Sequence, residues 1–398
     1  MPGEKLSIRD LDLDGKWVFV RVDFNVPVSE GGVVDDTRIR AALPSIQMVC
    51  ERGGRAVLAS HLGRPKGKPA PEYSLRPAAE RLASLLGRDV DFVEDCVGRE
   101  VEKTVKSLLP GEVLLLENLR FHDGETKNDP RFAAMLAALA DEYVNDAFGT
   151  AHRAHASTVG VPEALGRGAA GLLIEKELQA LERVLRNPSR PLAAILGGAK
   201  VSDKIEVIEN LLSLADSILL GGGMAFTFLK AEGKATGSSM LEEDRLELAS
   251  ELVRKAQDRG VGLLLPSDVR IAREIKAGTE SMVVPVDAIP EGWMGLDIGP
   301  RTVEAFQREI SAAGTILWNG PLGVFELDDF ADGTIEIALA VAASSAYSLI
   351  GGGDSVSAVK KAGVTNQISH ISTGGGASLE FLAGKKLPGI EALTERMQ

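Results

Sequence analysis

The chain has 398 residues, of which 44% are hydrophobic and 25% are charged, a composition typical of a globular protein with two or three domains. Its net charge of −13 argues against a broadly basic surface and therefore against nonspecific binding of nucleic acid. The longest apolar stretch, Ile335 to Ile350, is interrupted by Glu336 and is too short to span a membrane. Cys50 and Cys96 indicate no disulfide framework, and the first residues show no signal peptide. We therefore expect a cytoplasmic enzyme that binds neither nucleic acid nor membranes.

In the first half of the chain, short runs rich in valine and leucine predict strands, and these runs end in polar or charged residues. Arg21, Asp23 and Asn25 alternate along one run, so we predict that they share one face of a strand. The solvated face of an edge strand would give the same pattern. The ends of later runs add further cations and a histidine, which favour an anion site: His61, Arg64, Arg120 and Arg153.

Segments of helical period separate these runs. A helix is predicted within Thr37 to Cys50, with Pro44 in its first turn because proline lacks the amide that an interior position donates. Further helices are predicted over Pro130 to Asp141 and over Leu241 to Asp258. Strands that alternate with helices indicate a parallel sheet covered by helices on both faces.

In the middle of the chain, an amphipathic helix pattern followed by two prolines indicates a domain boundary. Four apolar residues fall on one face of a predicted connector helix over residues 173–186: Ile174, Leu178, Leu181 and Leu185. Prolines at 188 and 191 end this helix. The segment 166–171 just before it matches the dinucleotide pattern G-x-G-x-x-G, but no strand run precedes it, so we interpret it as a loop.

In the second half, strand runs end in glycine instead, at Gly197–Gly198, Gly221–Gly223, Gly351–Gly353 and Gly374–Gly376. Glycine turns let backbone amides approach phosphates closely. Two lysines four residues apart, Lys200 and Lys204, are predicted to share the first turns of the following helix, where phosphate is favoured.

Two further segments of this half carry suitable side chains. Asp354 and Ser355 offer a carboxylate for Mg²⁺ and a hydroxyl, although a helix N-cap would use them equally well. The segment from Trp318 to Glu326 offers apolar surface for a base and a carboxylate for ribose hydroxyls. The five histidines form no metal cluster by spacing. The two halves together predict two anion sites that serve one reaction.

Taken in order, these segments closely resemble the phosphoglycerate kinase family over essentially the whole chain. The resemblance rests on residues 21–25, 36–40, 60–65, 117–121, 145–153, 197–204, 221–228, 318–326, 351–355 and 372–378. It implies an α/β fold with two Rossmann-like domains, each a parallel sheet with helices on both faces, joined by the connector helix. The expected domains are residues 1–172, to which 387–398 return, and residues 187–386.

The resemblance also implies a function. It implies reversible, Mg²⁺-dependent phosphoryl transfer between 1,3-bisphosphoglycerate and ADP, giving 3-phosphoglycerate and ATP, in glycolysis and gluconeogenesis. The residues expected to bind the acid phosphate are Arg21, Asp23, Asn25, Arg38, His61, Arg64, Arg120 and Arg153. The residues expected to serve ADP or ATP are Gly198, Ala199, Lys200, Lys204, Gly222, Gly223, Gly295, Leu296, Asn319, Pro321, Glu326, Gly352, Gly353, Asp354 and Ser355.

The expected catalytic groups are few. Arg38 and Lys200 would neutralise charge on the moving phosphoryl group, Gly374 and Gly375 would donate amides to it, and Asp354 would bind the metal. The accepting oxygens are already ionised at neutral pH, so no general base is needed, and positioning with charge neutralisation suffices. We expect a monomer whose domains close on their ligands.

Two other functions are less consistent with these residues. A noncatalytic nucleotide or sugar-phosphate sensor on the same fold would have lost a transition-state cation, yet both Arg38 and Lys200 are present. A nicotinamide-dependent dehydrogenase is disfavoured because the only dinucleotide pattern noted is the loop at 166–171 and no pair of polar proton donors is evident.

Overall fold

A computed structural model describes residues 4–396. The chain forms two compact units. The first contains the described residues up to Gln179 together with those from Lys386 onward, and the second spans Ala180–Lys385. Residues 1–3 and 397–398, which the expected first domain includes, lie outside the described residues. No helix of the described residues is long and apolar enough to cross a bilayer.

The first unit is built on a six-stranded sheet in the order β5-β6-β4-β1-β7-β8, in which every pairing is parallel. Its strands, with the antiparallel pair β2 and β3, are β1 (Trp17–Val22), β2 (Val28–Ser29), β3 (Gly32–Val33), β4 (Arg55–Ala59), β5 (Asp91–Val93), β6 (Val113–Leu116), β7 (Glu142–Asp146) and β8 (Ala169–Ala170). Its helices are α1 (Thr37–Glu51), α2 (Arg76–Leu86), α3 (Arg99–Ser107), α4 (Asp123–Thr126), α5 (Pro130–Ala137) and α6 (Val161–Leu165).

Strand β1 lies in the middle of this sheet, between β4 and β7. Its residues from Val18 to Val22 are buried, so the edge-strand alternative is wrong. The strand ends at Val22. The prediction that Arg21, Asp23 and Asn25 share one strand face is therefore also wrong, because only Arg21 belongs to the strand and the other two lie in the loop beyond it.

Helix α1 contains Pro44 in its interior, which corrects the prediction of a first-turn position. The proline leaves the carbonyl of Arg40 without its usual helical donor, but Arg40 is exposed, so water can hydrate that carbonyl. The opposite face buries Ile39, Ile46 and Val49 in the core of the first unit. Burial of a large aliphatic side chain stabilises by roughly 1.5–3 kcal/mol, which offsets the cost of the proline.

Helix α7 (Leu172–Arg186) begins in the first unit and ends in the second. Of the four residues predicted to form its apolar face, Ile174 and Leu181 are fully buried, whereas Leu178 and Leu185 are half-buried. The other fully buried positions are Glu177 and Val184. The buried face is therefore rotated from the predicted one and includes a carboxylate.

The second unit contains a six-stranded parallel sheet in the order β11-β10-β9-β15-β16-β17 and an antiparallel sheet in the order β13-β12-β14. Its strands are β9 (Leu192–Leu196), β10 (Ser217–Leu220), β11 (Gly262–Leu264), β12 (Asp268–Ala272), β13 (Ser281–Pro285), β14 (Met294–Ile298), β15 (Thr315–Asn319), β16 (Tyr347–Gly351) and β17 (His370–Ile371). Its helices are α8 (Ile205–Leu211), α9 (Met224–Ala231), α10 (Leu246–Arg259), α11 (Pro300–Ala312), α12 (Asp332–Ala343), α13 (Gly353–Lys361), α14 (Gly376–Leu382) and, in the segment that returns to the first unit, α15 (Pro388–Glu391).

The predicted α/β class, with two parallel sheets flanked by helices, is confirmed. The antiparallel sheet was not predicted. In that sheet β12 is almost wholly buried, whereas the edge strand β13 is mostly exposed.

Asp146 links the end of β7 to the start of α7. Its carboxylate accepts hydrogen bonds from the amides of Leu173 at 2.9 Å and Ile174 at 3.4 Å. Burial raises the pKa of Asp146 to about 7, although those amides act in the opposite direction. The folded chain therefore holds a proton that the unfolded chain releases near pH 3.8, so the contribution of Asp146 to stability falls as the pH rises from about 4 to about 7.

We predict that Asp146→Asn, which keeps the accepting oxygen and cannot ionise, stabilises the protein more at pH 8 than at pH 5.5. The difference between the two pH values should be on the order of 2 kcal/mol, the equivalent of 1.5 pKa units. Calorimetric melting at both pH values measures it, with the exposed Asp89→Asn as the matched control. An equal shift at both pH values would contradict the prediction.

Candidate active site

Arg21 and His61 form the buried centre of the polar group at the carboxyl ends of the first unit's strands. The Arg21 guanidinium donates to Ser157 Oγ at 2.8 Å, to the carbonyl of Val22 and, at 3.2 Å, to Nδ1 of His61. Arg21 is fully buried. Direct contact between Arg21 and a ligand, as the sequence predicted, does not fit this burial. Its observed role is to hold Ser157 and His61.

Arginine has no acceptor, so its bond to His61 fixes the imidazole tautomer. Nδ1 must accept, and the neutral ring then carries its proton on Nε2. Burial lowers the pKa of His61 well below 6.5, and the charges of Arg21, Arg120 and Arg153 lower it further. His61 is therefore a neutral side chain with one N–H to donate.

The loop beyond β1 holds the other predicted residues of this region. Asp23 accepts a hydrogen bond from Arg38 Nη1 at 2.9 Å, so this candidate catalytic arginine is paired with a carboxylate and only partly exposed. The Asn25 side chain accepts from the amide of Gly63 at 2.9 Å. Arg64, the next residue, is exposed.

Arg120 is a cation with unused donors. Its Nη1 donates to the carbonyl of Gly63 at 2.7 Å, but Nε and Nη2 are buried and have no hydrogen-bond partner among the described residues. Burial lowers the pKa of Arg120 to about 10, and repulsion from Arg153 and Arg21 adds to the effect. Buried polar groups without partners are costly, so this position is suited to an anion that would accept from both nitrogens.

A cavity of about 230 Å³ lies beside Arg120, and the predicted residues Arg21, Asp23, Asn25, Arg38 and His61 do not line it. Its lining residues are Arg64, Lys66, Gly67, Arg120, Thr126, Arg153 and His155. Arg64, Arg120 and Arg153 were predicted, whereas the other four were missed. Lys66 stands within the Gly63 to Lys68 segment, whose excess of cations was the available signal; Thr126 and His155 carry no distinctive one. Glu125, fully buried beneath, accepts from Ser157 Oγ at 2.7 Å.

In the second unit, three strand-end turns are bonded to one another through their backbones. Gly198 donates its amide to the carbonyl of Pro321 at 2.9 Å, and Gly222 donates to the carbonyl of Leu322 at 2.9 Å. Gly222 has a φ of +68°, and a Cβ there would lie 2.7 Å from the carbonyl oxygen of Gly198. Glycine is therefore required at this position by both conformation and space.

A cavity of about 450 Å³ opens at these turns. Its lining includes nine of the predicted nucleotide residues: Gly198, Ala199, Gly222, Gly223, Gly295, Leu296, Pro321, Glu326 and Asp354. The residues that sequence reasoning missed are mainly apolar and come from α9, from the antiparallel sheet and from the loops beside them: Phe226, Ser238, Met240, Pro266, Val269, Ile275, Met294, Asp297, Ile298, Leu322, Gly323 and Val324. Leu322, Gly323 and Val324 fall within the segment from Trp318 to Glu326 that the sequence marked as apolar surface for a base. No signal marked the residues of the antiparallel sheet, because that sheet itself was not predicted.

The remaining predicted nucleotide residues do not line this cavity: Lys200, Lys204, Asn319, Gly352, Gly353 and Ser355. Lys200 and Lys204 do not share a helix face, as predicted, because α8 begins only at Ile205 and both lysines lie in the loop before it. Lys200 is exposed. Lys204 is buried and donates to the Asn319 side chain, and burial lowers its pKa to about 8.

Two further predicted groups, the Ser355 hydroxyl and the Gly374 amide, already form hydrogen bonds within the protein. Ser355 is fully buried, and its hydroxyl accepts from the amide of Gly320 at 2.6 Å. The amide of Gly374 donates to Ser372 Oγ at 3.1 Å, so in this structure it is not available to a phosphate. The N-cap of α13 is Gly352, without a side-chain cap, so the capping alternative for Asp354 and Ser355 is wrong.

The chain is similar to known proteins over nearly its whole length. The family model described as phosphoglycerate kinase matches residues 8–385. A phosphoglycerate kinase from Moorella thermoacetica is 59% identical over 392 residues, which cover 98% of this chain and 100% of that protein. One from Rubrobacter xylanophilus is also 59% identical, with 99% of both chains covered. The solved structure of phosphoglycerate kinase from Coxiella burnetii has a TM-score of 0.90 at 44% identity, with 98% of both chains covered.

The chain belongs to the phosphoglycerate kinase family. The resemblance found in the sequence is confirmed, and with it the reaction that it implied. The chain is a phosphotransferase that moves a phosphoryl group between 1,3-bisphosphoglycerate and ADP, giving 3-phosphoglycerate and ATP. A sensor without catalysis and a dehydrogenase are both excluded by this membership.

We predict that His61 does not titrate between pH 5.5 and pH 8, because burial and the neighbouring guanidinium groups hold it neutral. The ring proton resonances of His61, assigned by comparison with His61→Gln, should keep constant chemical shifts over this range in the protein without ligand. A titration midpoint between pH 6 and pH 7 would show instead that the imidazole is hydrated and accessible.

Proposed function

We propose that the cluster of arginines in the first unit binds the phosphate and carboxylate of 3-phosphoglycerate. The observation that carries this proposal is Arg120, whose two unpaired buried donors lie among further cations. A small molecule with several negative charges would satisfy those donors and reduce the repulsion between the guanidinium groups. The neutral His61 would add one uncharged donor, and Asn25, held at Gly63, one amide.

We propose that the 450 Å³ cavity of the second unit binds ADP or ATP. Its lining is mainly apolar, as a base requires, and the glycine turns at Gly198 and Gly222 place no side chain between the cavity and the backbone. Exposed Glu326 is placed to accept from ribose hydroxyls.

Three predicted ligand residues are better assigned as positioning residues, because each is buried and already bonded. Arg21 would position His61, and Ser355 would hold the turn at Gly320. Lys204 would hold Asn319. Their effect on a ligand would be exerted through these partners.

The proposed mechanism needs no proton transfer. The carboxylate of 3-phosphoglycerate and the terminal oxygens of ADP are ionised at neutral pH, so the protein supplies orientation and positive charge. Arg38 of the first unit and Lys200 of the second would place that charge on the moving phosphoryl group. Because these residues belong to different units, the proposal requires that both reach one phosphoryl group and that water be excluded from the reactive acyl phosphate.

We propose Asp354 as the protein carboxylate that holds Mg²⁺. It is exposed, it lines the nucleotide cavity, and it lies close enough to Lys204 to affect that lysine's charge. A single carboxylate fits Mg²⁺, which takes most of its ligands from water and substrate phosphates. When bound, the metal would screen the charge of those phosphates. We further propose that the protein acts as a cytoplasmic monomer, which sedimentation equilibrium would test for the monomeric state.

We predict that Lys200→Ala lowers turnover on the order of 10²- to 10³-fold, because its charge is needed most in the transition state. The dissociation constant for ADP should change much less. Turnover at saturating substrates and calorimetric binding of ADP measure the two effects. The matched control is Lys230→Ala, which removes an exposed lysine from the end of α9. Unchanged turnover together with weaker ADP binding would assign Lys200 to ground-state binding only.

We predict that Asp354→Asn raises the Mg²⁺ concentration needed for half-maximal activity, because an amide is a poorer ligand than a carboxylate for a hard cation. The variant Asp258→Asn, which neutralises an exposed aspartate at the end of α10, is the control for the change in net charge. If the two variants have the same half-saturation point as the unmodified protein, Asp354 does not bind the metal.

A further inference from the structure

A second group of ligating side chains lies in the first unit, apart from the residues proposed to bind substrate. Asp95, Cys96 and His122 each offer one ligand atom, and these atoms lie within 4.8 Å of one another. The described residues contain no other group of three histidine, cysteine or acidic side chains that meets this condition. Asp95 and Cys96 follow β5, and His122 directly precedes α4. Sequence spacing did not reveal the group because the fold brings two distant segments together.

Contacts hold the side chains of Asp95 and His122 and the backbone at Asp95 and Cys96. Nε2 of His122 lies 2.7 Å from Oδ1 of Asp95, and the imidazole ring stacks on Phe132 with 5.2 Å between the ring centroids. The same Asp95 oxygen accepts from the amide of Cys96 at 2.6 Å, and the Asp95 carbonyl accepts from the amide of Glu117 at 3.3 Å. The group is therefore largely formed before any ligand binds.

We propose that Asp95, Cys96 and His122 bind one Zn²⁺ ion, with water as the fourth ligand. Zinc bonds of about 2.0 Å to nitrogen or oxygen and about 2.3 Å to sulfur place the ligand atoms of a tetrahedral site roughly 3.3–3.7 Å apart. Atoms that already lie within 4.8 Å of one another need to approach by about 1.5 Å at most. Asp95 and His122 are partly exposed and can make that movement, whereas buried Cys96 provides a fixed anchor.

The donor set and the local charge both favour this ion. A thiolate, an imidazole and a carboxylate suit zinc, whereas Mg²⁺ prefers oxygen ligands. Burial, together with the negative charges of Asp95, Glu125 and Glu117, raises the pKa of the Cys96 thiol, so the thiol would lose its proton as the ion binds. The same negative charges attract a cation. Glu117 itself is not a ligand, since both of its oxygens already accept hydrogen bonds from Ser74, Leu75 and Asn118.

The proposed zinc site lies beside the segment that carries Arg120. His122 directly follows the short 3₁₀ turn Leu119–Phe121 that carries Arg120. A bound ion would therefore tie the segment that holds Arg120 to the loop beyond β5.

The test uses the full chain, reduced and freed of metal, titrated with Co²⁺ as a spectroscopic probe of the zinc site. We expect one Co²⁺ per chain and a thiolate-to-cobalt charge-transfer band in the near ultraviolet. Equimolar Zn²⁺ should remove the band, and a large excess of Mg²⁺ should not. Absence of the band, or its loss on addition of Mg²⁺, would overturn the proposal.

Variants assign the ligands. Cys96→Ser should abolish the band, and Cys50→Ser, which removes the other buried cysteine, should leave it unchanged. The reverse pattern would overturn the proposal. If Cys96→Ser does not fold, His122→Gln decides the matter: we expect Co²⁺ affinity to fall more than about 100-fold, since outer-shell partners alone are worth 10- to 100-fold. An unchanged affinity in His122→Gln would overturn the assignment.

Discussion

The constraint on which the rest of the first unit depends is the mutual repulsion of its clustered guanidinium groups. Arg21 and Arg120 are buried, and Arg153 lies near Arg120 and His61. The charges of the three arginines lower the pKa of His61, and the charges of Arg153 and Arg21 also lower the pKa of Arg120. Two carboxylates, Asp23 and Glu125, offset only part of that charge. The sheet and its loops hold the guanidinium groups together despite their repulsion. Such a cluster would gain most from binding an anion with several charges.

The proposed nucleotide site of the second unit would bind phosphates by a different physical route. Its turns at Gly198, Gly222 and Gly320 bring backbone amides and carbonyls together without side chains between them, and apolar residues of the antiparallel sheet complete the cavity. Both sites lie at the carboxyl ends of parallel strands, where such sheets bind their ligands. One unit thus offers fixed positive charge, and the other offers glycine turns without side chains beside an apolar cavity. A transfer between two anions that needs no general base requires both kinds of environment.

The α/β class and the chemistry of each strand end could be predicted from the sequence, because both depend on local pattern. The burial of individual side chains and their hydrogen-bond partners could not be predicted, because both depend on tertiary packing. Arg21 and Ser355 have the residue types of ligand contacts, but tertiary packing encloses both. The lysine pair at Lys200 and Lys204 has helical spacing, yet the chain turns before it becomes helical. Local preference predicted Pro44 in the first turn of its helix. It lies in the interior of α1 instead, because core packing of that helix outweighs the preference.

The most direct test of this account replaces Arg120 with methionine, which keeps much of the side-chain volume and removes the charge with its unpaired donors. We expect the Arg120→Met protein to be more stable and less functional. The free energy of unfolding should rise by about 1 kcal/mol, the scale of relief from an unsatisfied buried group. Affinity for 3-phosphoglycerate should fall at least about tenfold, in line with loss of a charged hydrogen bond, while affinity for ADP is unchanged. Lower stability with unaltered affinity for 3-phosphoglycerate would contradict the central claim that the cluster is strained in order to bind an anion.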